Sequence, residues 1–263
     1  NGVVIYRNIS IPENVRKFLI QQINFQTRIH PQYLLAKPIQ DRLKKDFSLI
    51  NDVPTKMIQS LNAFGELIVS VDGKWKGFPQ IMYSNESVDL KDVIDDHFGD
   101  KAFDREDYYS FLKSLGYSNT TGYMKLQRLQ EDDDLLQVGV DKFVFSKYLK
   151  ISDDEWNAIN SYLLSLFKKS KSFVSLDNII VNGPALPNIH ELTWTKDLLF
   201  SLARHSKVVR TLPWTRLDNH TTLLPFDPEI IVKQDSNIKS VLELAQRLLG
   251  TKGRSFVWLS SLV

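Results

Sequence analysis

Between Asp104 and Phe145 the chain lays out two short amphipathic helices and a β-hairpin in unbroken succession, and few folds accept that order. Tyr108, Phe111, Leu112 and Leu115 recur at helical spacing behind Asp104, which is suited to capping, with Asp107 in the first turn. Gly116 follows, where a helix end needs a residue tolerant of positive φ. After Tyr117-Ser118, Asn119 or Thr120 is expected to cap a second helix over about 120–131, with Tyr123, Leu126 and Leu129 on one face. Leu135–Val140 and Phe143–Phe145 then alternate as two strands closed at Asp141-Lys142. A preceding helix over Leu90–Phe98 completes a set of three.

This order resembles the winged helix, the helix-turn-helix variant that carries a β-hairpin wing. It recurs twice with looser spacing. Upstream, predicted helices over Pro12–Thr27, Pro38–Phe47 and Val53–Phe64 precede a hairpin of Gly65–Val71 and Phe78–Tyr83, turning at Asp72-Gly73-Lys74. Downstream, a helix over Asp153–Lys168 and a short one near Leu176–Val181 precede a helix capped by Thr193 or Thr195 and running to about His205. Wing strands over Lys207–Leu212 and Thr221–Phe226 follow, with Pro213–His220 as the tip. The turns at Asp72 and Asp141 are 69 residues apart, the size of one such unit. The expected architecture is mainly α with small β-hairpins, a tandem array of three winged-helix units over 1–86, 87–150 and 151–235. Residues 236–263, with a helix over Ile238–Leu249, open a fourth unit or form a C-terminal helix. A start at Asn1 and an end inside the apolar stretch Phe256–Val263 read as a piece of a larger protein.

Charge is blocky. The formal net charge of +2 resolves into +4 over 1–86, −4 over 87–150, −1 over 151–235 and +3 over 236–263, as separate modules would give. A uniformly basic coat is thereby excluded. Composition, at 43% hydrophobic and 24% charged, is that of a soluble globular chain. No apolar run approaches the roughly 18 residues of a membrane span, so no membrane partner is expected. The absence of cysteine removes disulfide scaffolds, thiolate zinc sites and cysteine nucleophiles. An intracellular protein is expected, cytoplasmic in a prokaryote or nuclear in a eukaryote. The sequons at Asn8, Asn85, Asn119 and Asn219 are then accidents of composition.

Catalytic signals are missing. The five histidines fall at no metal-ligand spacing, and Asp95-Asp96-His97 reads as a solvated helix end. No phosphate-binding glycine loop and no nucleophile elbow can be drawn through the eleven glycines. Asp132-Asp133-Asp134 lacks the alternating oxygens of a calcium loop and reads as a solvated turn. No enzyme, no metal and no nucleotide cofactor are expected.

Recognition chemistry gathers elsewhere. The second helix of the middle unit opens with Asn119, Thr120 and Thr121 and continues to Gln127 and Arg128. In a helix-turn-helix that face enters the major groove, where Gln reads adenine and Arg reads guanine while Thr and Asn reach phosphates. Against this stands the acidic run Glu131–Asp134, which repels phosphate. In the first unit Lys56 and the wing-tip run Lys74, Trp75 and Lys76 are the candidates. In the third they are Arg204, Lys207 and Arg210, with Trp214 beside Arg216 in the wing. The resemblance implies either duplex DNA binding, by helices near 54–64, 119–131 and 193–205 with wings on the backbone, or a scaffold whose equivalent surfaces hold other protein chains. Fold-level likeness does not decide between them.

Overall fold

The computed structural model of the chain describes residues 11–46, 49, 51, 53–167, 172–177, 179–189, 193–212 and 229–249. The fold is mixed α/β, with three small antiparallel sheets of three strands each. The first segment runs α1 (Glu13–Ile29), β1 (Tyr33–Leu34), α2 (Ala36–Lys45), α3 (Thr55–Gln59), α4 (Leu61–Val71), β2 (Lys76–Phe78) and β3 (Ile81–Tyr83). The middle one runs α5 (Leu90–Phe98), β4 (Phe103–Asp104), α6 (Arg105–Ser114), α7 (Asn119–Glu131), β5 (Leu135–Gly139) and β6 (Lys142–Phe145). The last runs α8 (Asp153–Ser165), β7 (Val174–Ser175), α9 (Ile179–Asn182), α10 (Lys196–Arg204), β8 (Val209–Thr211), β9 (Ile230–Lys233) and α11 (Val241–Leu249). In each sheet the third strand lies between the first and the second: β1-β3-β2, β4-β6-β5 and β7-β9-β8.

Contacts divide the chain into two compact units. The described residues up to Gly99, with Arg105–Leu126, form one; Asp100–Asp104 and the described residues from Gln127 form the other. In the first, Val15, Leu19 and Ile23 of α1 are buried with Ile39 and Leu43 of α2 and Phe64, Leu67 and Ile68 of α4. In the second, Ile159 and Leu163 of α8 pack with Leu198, Leu199 and Leu202 of α10, Val209, Ile231 and the middle-sheet residues Leu136 and Val144.

Local capping explains the helix pair α6–α7. Gly116 has φ +91°. Its N–H bonds the Lys113 carbonyl at 3.0 Å while the Tyr117 N–H reaches back to Leu112 at 3.0 Å, the paired bonds of a Schellman ending. The cap of α7 is Ser118 rather than Asn119 or Thr120: its Oγ accepts from the Thr121 N–H at 3.2 Å. Ser118→Ala should therefore cost about 1 kcal/mol, read as a lowered urea midpoint. The aspartate run ends α7 the way Gly116 ends α6. Asp133 takes φ +62°. The Asp134 N–H bonds the Leu129 carbonyl at 2.9 Å. The middle hairpin closes next to Asp141, at φ +55°, with a register shift between Gln137 and Gly139.

Three expectations are corrected. Gly65–Val71 is not a strand but the body of α4, and the single helix expected over Val53–Phe64 is split at Ser60. The Ser60 side chain accepts from the Ala63 N–H at 3.4 Å and so starts a new helix there. Phe64, Leu67 and Ile68 bury at a helical period that the apolar run Leu67–Val69 obscures in sequence. Gly65 is needed where α4 meets the hairpin, since a Cβ there would lie 2.9 Å from Pro79 Cβ. The hairpin accordingly turns at Pro79-Gln80, not at Asp72-Gly73-Lys74.

In the last segment β8 pairs with Ile230–Lys233, beyond the expected Thr221–Phe226, which lies outside the described residues. The short helix is Ile179–Asn182 rather than Leu176–Val181. Thr195 is the cap of α10, accepting from the Leu198 N–H at 3.0 Å. Ile238, Val241 and Leu244 bury against Leu212, Ile230 and Val232, so the start of α11 packs on the third sheet.

Candidate nucleic-acid interface

The candidate residues separate into those consumed by the fold and those left on the surface. Trp75 belongs to the first group, and its expected place at an exposed wing tip is corrected. Its side chain is 2% exposed within the first core, and Nε1 donates to the Asp72 carboxylate at 3.1 Å. Lys74 lies over the indole, 5.1 Å from the ring centroid, and pairs with Asp72 at 3.3 Å. Lys76 is exposed on β2, an outer strand of its sheet. Lys56 falls in α3.

The third candidate helix, α10, is packed into the fold. Leu198, Leu199, Ser201, Leu202 and Ala203 of α10 are buried. The helix is hydrogen-bonded to β5. The Gln137 N–H donates to Ser201 Oγ at 3.0 Å, Ser201 Oγ donates back to the Gln137 carbonyl at 3.1 Å, and Thr195 Oγ1 donates to the Val138 carbonyl at 2.9 Å. Gln137 Nε2 donates to Asp197 at 3.1 Å. Arg204 is spent on the Gln130 carbonyl at 3.2 Å. Arg210 donates to the carbonyls of Ser236, at 2.9 Å, and Ile238. These guanidiniums donate to carbonyls in the last turn of α7 and in the loop that precedes α11. Lys207 is exposed; Trp214 and Arg216 lie outside the described residues.

The face of α7 is what remains open. Asn119, Thr120, Met124, Lys125 and Arg128 are exposed, while Thr121 and Gln127 are half-buried. Thr121 Oγ1 lies 2.9 Å from Ser118 Oγ, within the cap. Arg128 stands 3.7 Å from the Asp132 carboxylate with both side chains well exposed, a pair worth little in water. Thr121 and Lys125 also line a cleft of about 540 Å³, opposite Gly77 and Phe78 of β2, with Tyr83 and Tyr117 in its walls. Burial pushes the Tyr117 phenol above its ordinary pKa, so it stays a neutral hydrogen-bonding group. Phe78 is 82% exposed. Phe78, Lys125 and the two tyrosines were not among the candidates read from sequence. The strand alternation of Phe78 hinted at one face, but its neighbours come from a helix some 40 residues away.

The acidic-histidine cluster at the end of α5 is built into the fold. The Tyr33 hydroxyl donates to Asp96 at 2.6 Å, and His30 Nδ1 lies 2.7 Å from the same oxygen. The His97 ring stacks on Phe111, with centroids 3.8 Å apart. Among the described residues no group of three His, Asp or Glu is placed to hold a metal ion. No described helix is long and apolar enough to cross a membrane. Comparison with known proteins found no matching family model, no matching curated protein and no matching solved structure.

Proposed function

We propose that the chain is a tandem array of three winged-helix units that binds duplex DNA through α7 and the first hairpin. The order helix–strand–helix–helix–strand–strand of the middle and last segments, which the first shares apart from the additional short helix α3, supports the array, with the last strand of each segment inserted between the other two. The observation that carries the DNA reading is the convergence of Thr121 and Lys125 with the strand bearing Lys76 around one open cleft. Cations then stand on the hairpin and on α7, where a backbone and a groove edge are met together. The interface is narrower than three reading helices, because α10 is occupied by β5. The salt response of binding tests it. Affinity for random duplex should fall steeply between about 50 and 200 mM salt. Lys76→Ala and Lys125→Ala should each weaken binding and lower the salt slope by about one unit, measured by fluorescence anisotropy. Salt-independent or undetectable duplex binding defeats the proposal.

A protein–protein scaffold is the second reading, and the packing of α10 on β5 favours it. There the chain already uses a second-position helix and a wing strand to hold itself together. Binding to a partner chain through such surfaces would respond weakly to salt.

A further inference from the structure

The cleft beside α7 has a shape and lining that duplex contact alone does not use. Three aromatic rings, Phe78, Tyr83 and Tyr117, line one space of about 540 Å³, together with the hydroxyl of Thr121 and the ammonium of Lys125. Phe78 stands 82% exposed at its edge, next to exposed Lys76. The carboxylate of Asp89, also in the wall, is engaged in capping α5, accepting from the Asp92 N–H at 3.0 Å. An aromatic face flanked by cations is how proteins hold unpaired bases, the ring stacking the base and the ammonium groups following the backbone. The volume lies in the range of sites for single small molecules and is too small for a docked helix.

An added peptide strand fits less well. The free edge of β2 is broken at Gly77, whose φ of +93° is outside extended geometry. A side chain there would meet Tyr83 at 2.7 Å, so the irregularity is built in. With only three residues in β2 and a positive φ at the middle one, this edge offers an added strand little regular length.

We propose that this cleft takes one unpaired nucleobase stacked on Phe78, so that the chain prefers duplex DNA bearing a single-stranded overhang to blunt duplex. The inference rests on the DNA reading above. The full 263-residue chain is titrated with a blunt duplex and with the same duplex carrying a short overhang, followed by anisotropy. The overhang is expected to bind roughly 5- to 150-fold more tightly. Phe78→Ala should bring the ratio of overhang to blunt-duplex affinity down to about one, and Phe78→Trp should keep it near the parental value. Circular dichroism checks that the exposed substitution leaves the fold intact. Equal affinity of the parent for both probes, or a preference that survives Phe78→Ala, overturns the inference while the duplex reading stands. Binding to neither probe overturns both.

Discussion

Trp75→Ala is expected to cost the first compact unit about 3–5 kcal/mol, among the largest effects of any single truncation in it. The indole is 2% exposed and packs in the cluster that includes Leu19, Leu43, Phe64 and Met82. Removing it leaves a cavity that the surrounding helices close only in part, and the Asp72 carboxylate loses its Nε1 donor and keeps only Lys74 of the two partners named above. Urea unfolding followed by far-ultraviolet circular dichroism measures the loss as a lowered midpoint for this unit. Because the ring is buried, no change in nucleic-acid affinity is expected under conditions where the variant is folded. A variant of parental stability with impaired binding would restore Trp75 to the surface role that its position beside two lysines predicts.

Leu199→Ala separates a core helix from a reading helix in the second unit. Leu199 is fully buried, in a cluster with Leu136, Ile159 and Leu202. Its truncation should cost about 2–5 kcal/mol. The same change on a groove-facing helix surface would stay within about 0.5 kcal/mol. The measurement is again a denaturant midpoint, supported by faster hydrogen exchange at the Gln137 amide. That amide bonds Ser201 of the helix and loses its protection if α10 lifts away. A near-neutral Leu199→Ala would mean that α10 does not pack on β5 in solution.

What could be read from sequence was whatever short-range chemistry decides. The α6–Gly116–α7 connection was legible because the glycine follows directly on a helical period, although the cap itself fell to Ser118 and not to Asn119 or Thr120. The α4 segment was misread because Gly65–Val71 satisfies a strand's alternation and a helix's period together. Only its packing on Pro79 and the first core selects the helix. Two of the basic candidates are held within the fold by acceptors distant in sequence. Arg204 and Arg210 look like surface cations in sequence, yet their acceptors lie 74 and 26 residues away, at the Gln130 and Ser236 carbonyls. Lys74 and Trp75 are neighbours in sequence, but nothing local says which of the two points inward. The cleft was invisible for the same cause, since Phe78 and Lys125 meet only in the folded unit.

The strand order within the sheets bears on how the chain is made. In all three, the strand at the centre is the last of its trio to leave the ribosome: β3, β6 and β9. While a segment is being synthesised, its first two strands have no neighbour to pair with, and their helices must wait as a partly collapsed cluster. The wait is longest in the third segment, where Val174 finds its partner only at Ile231. Closing such long loops is slow, and the exposed strands are open to wrong pairing meanwhile. Each sheet can therefore be completed only after its third strand has been made. A nascent chain stopped between Thr211 and Ile230 carries both outer strands of the third sheet and nothing to join them.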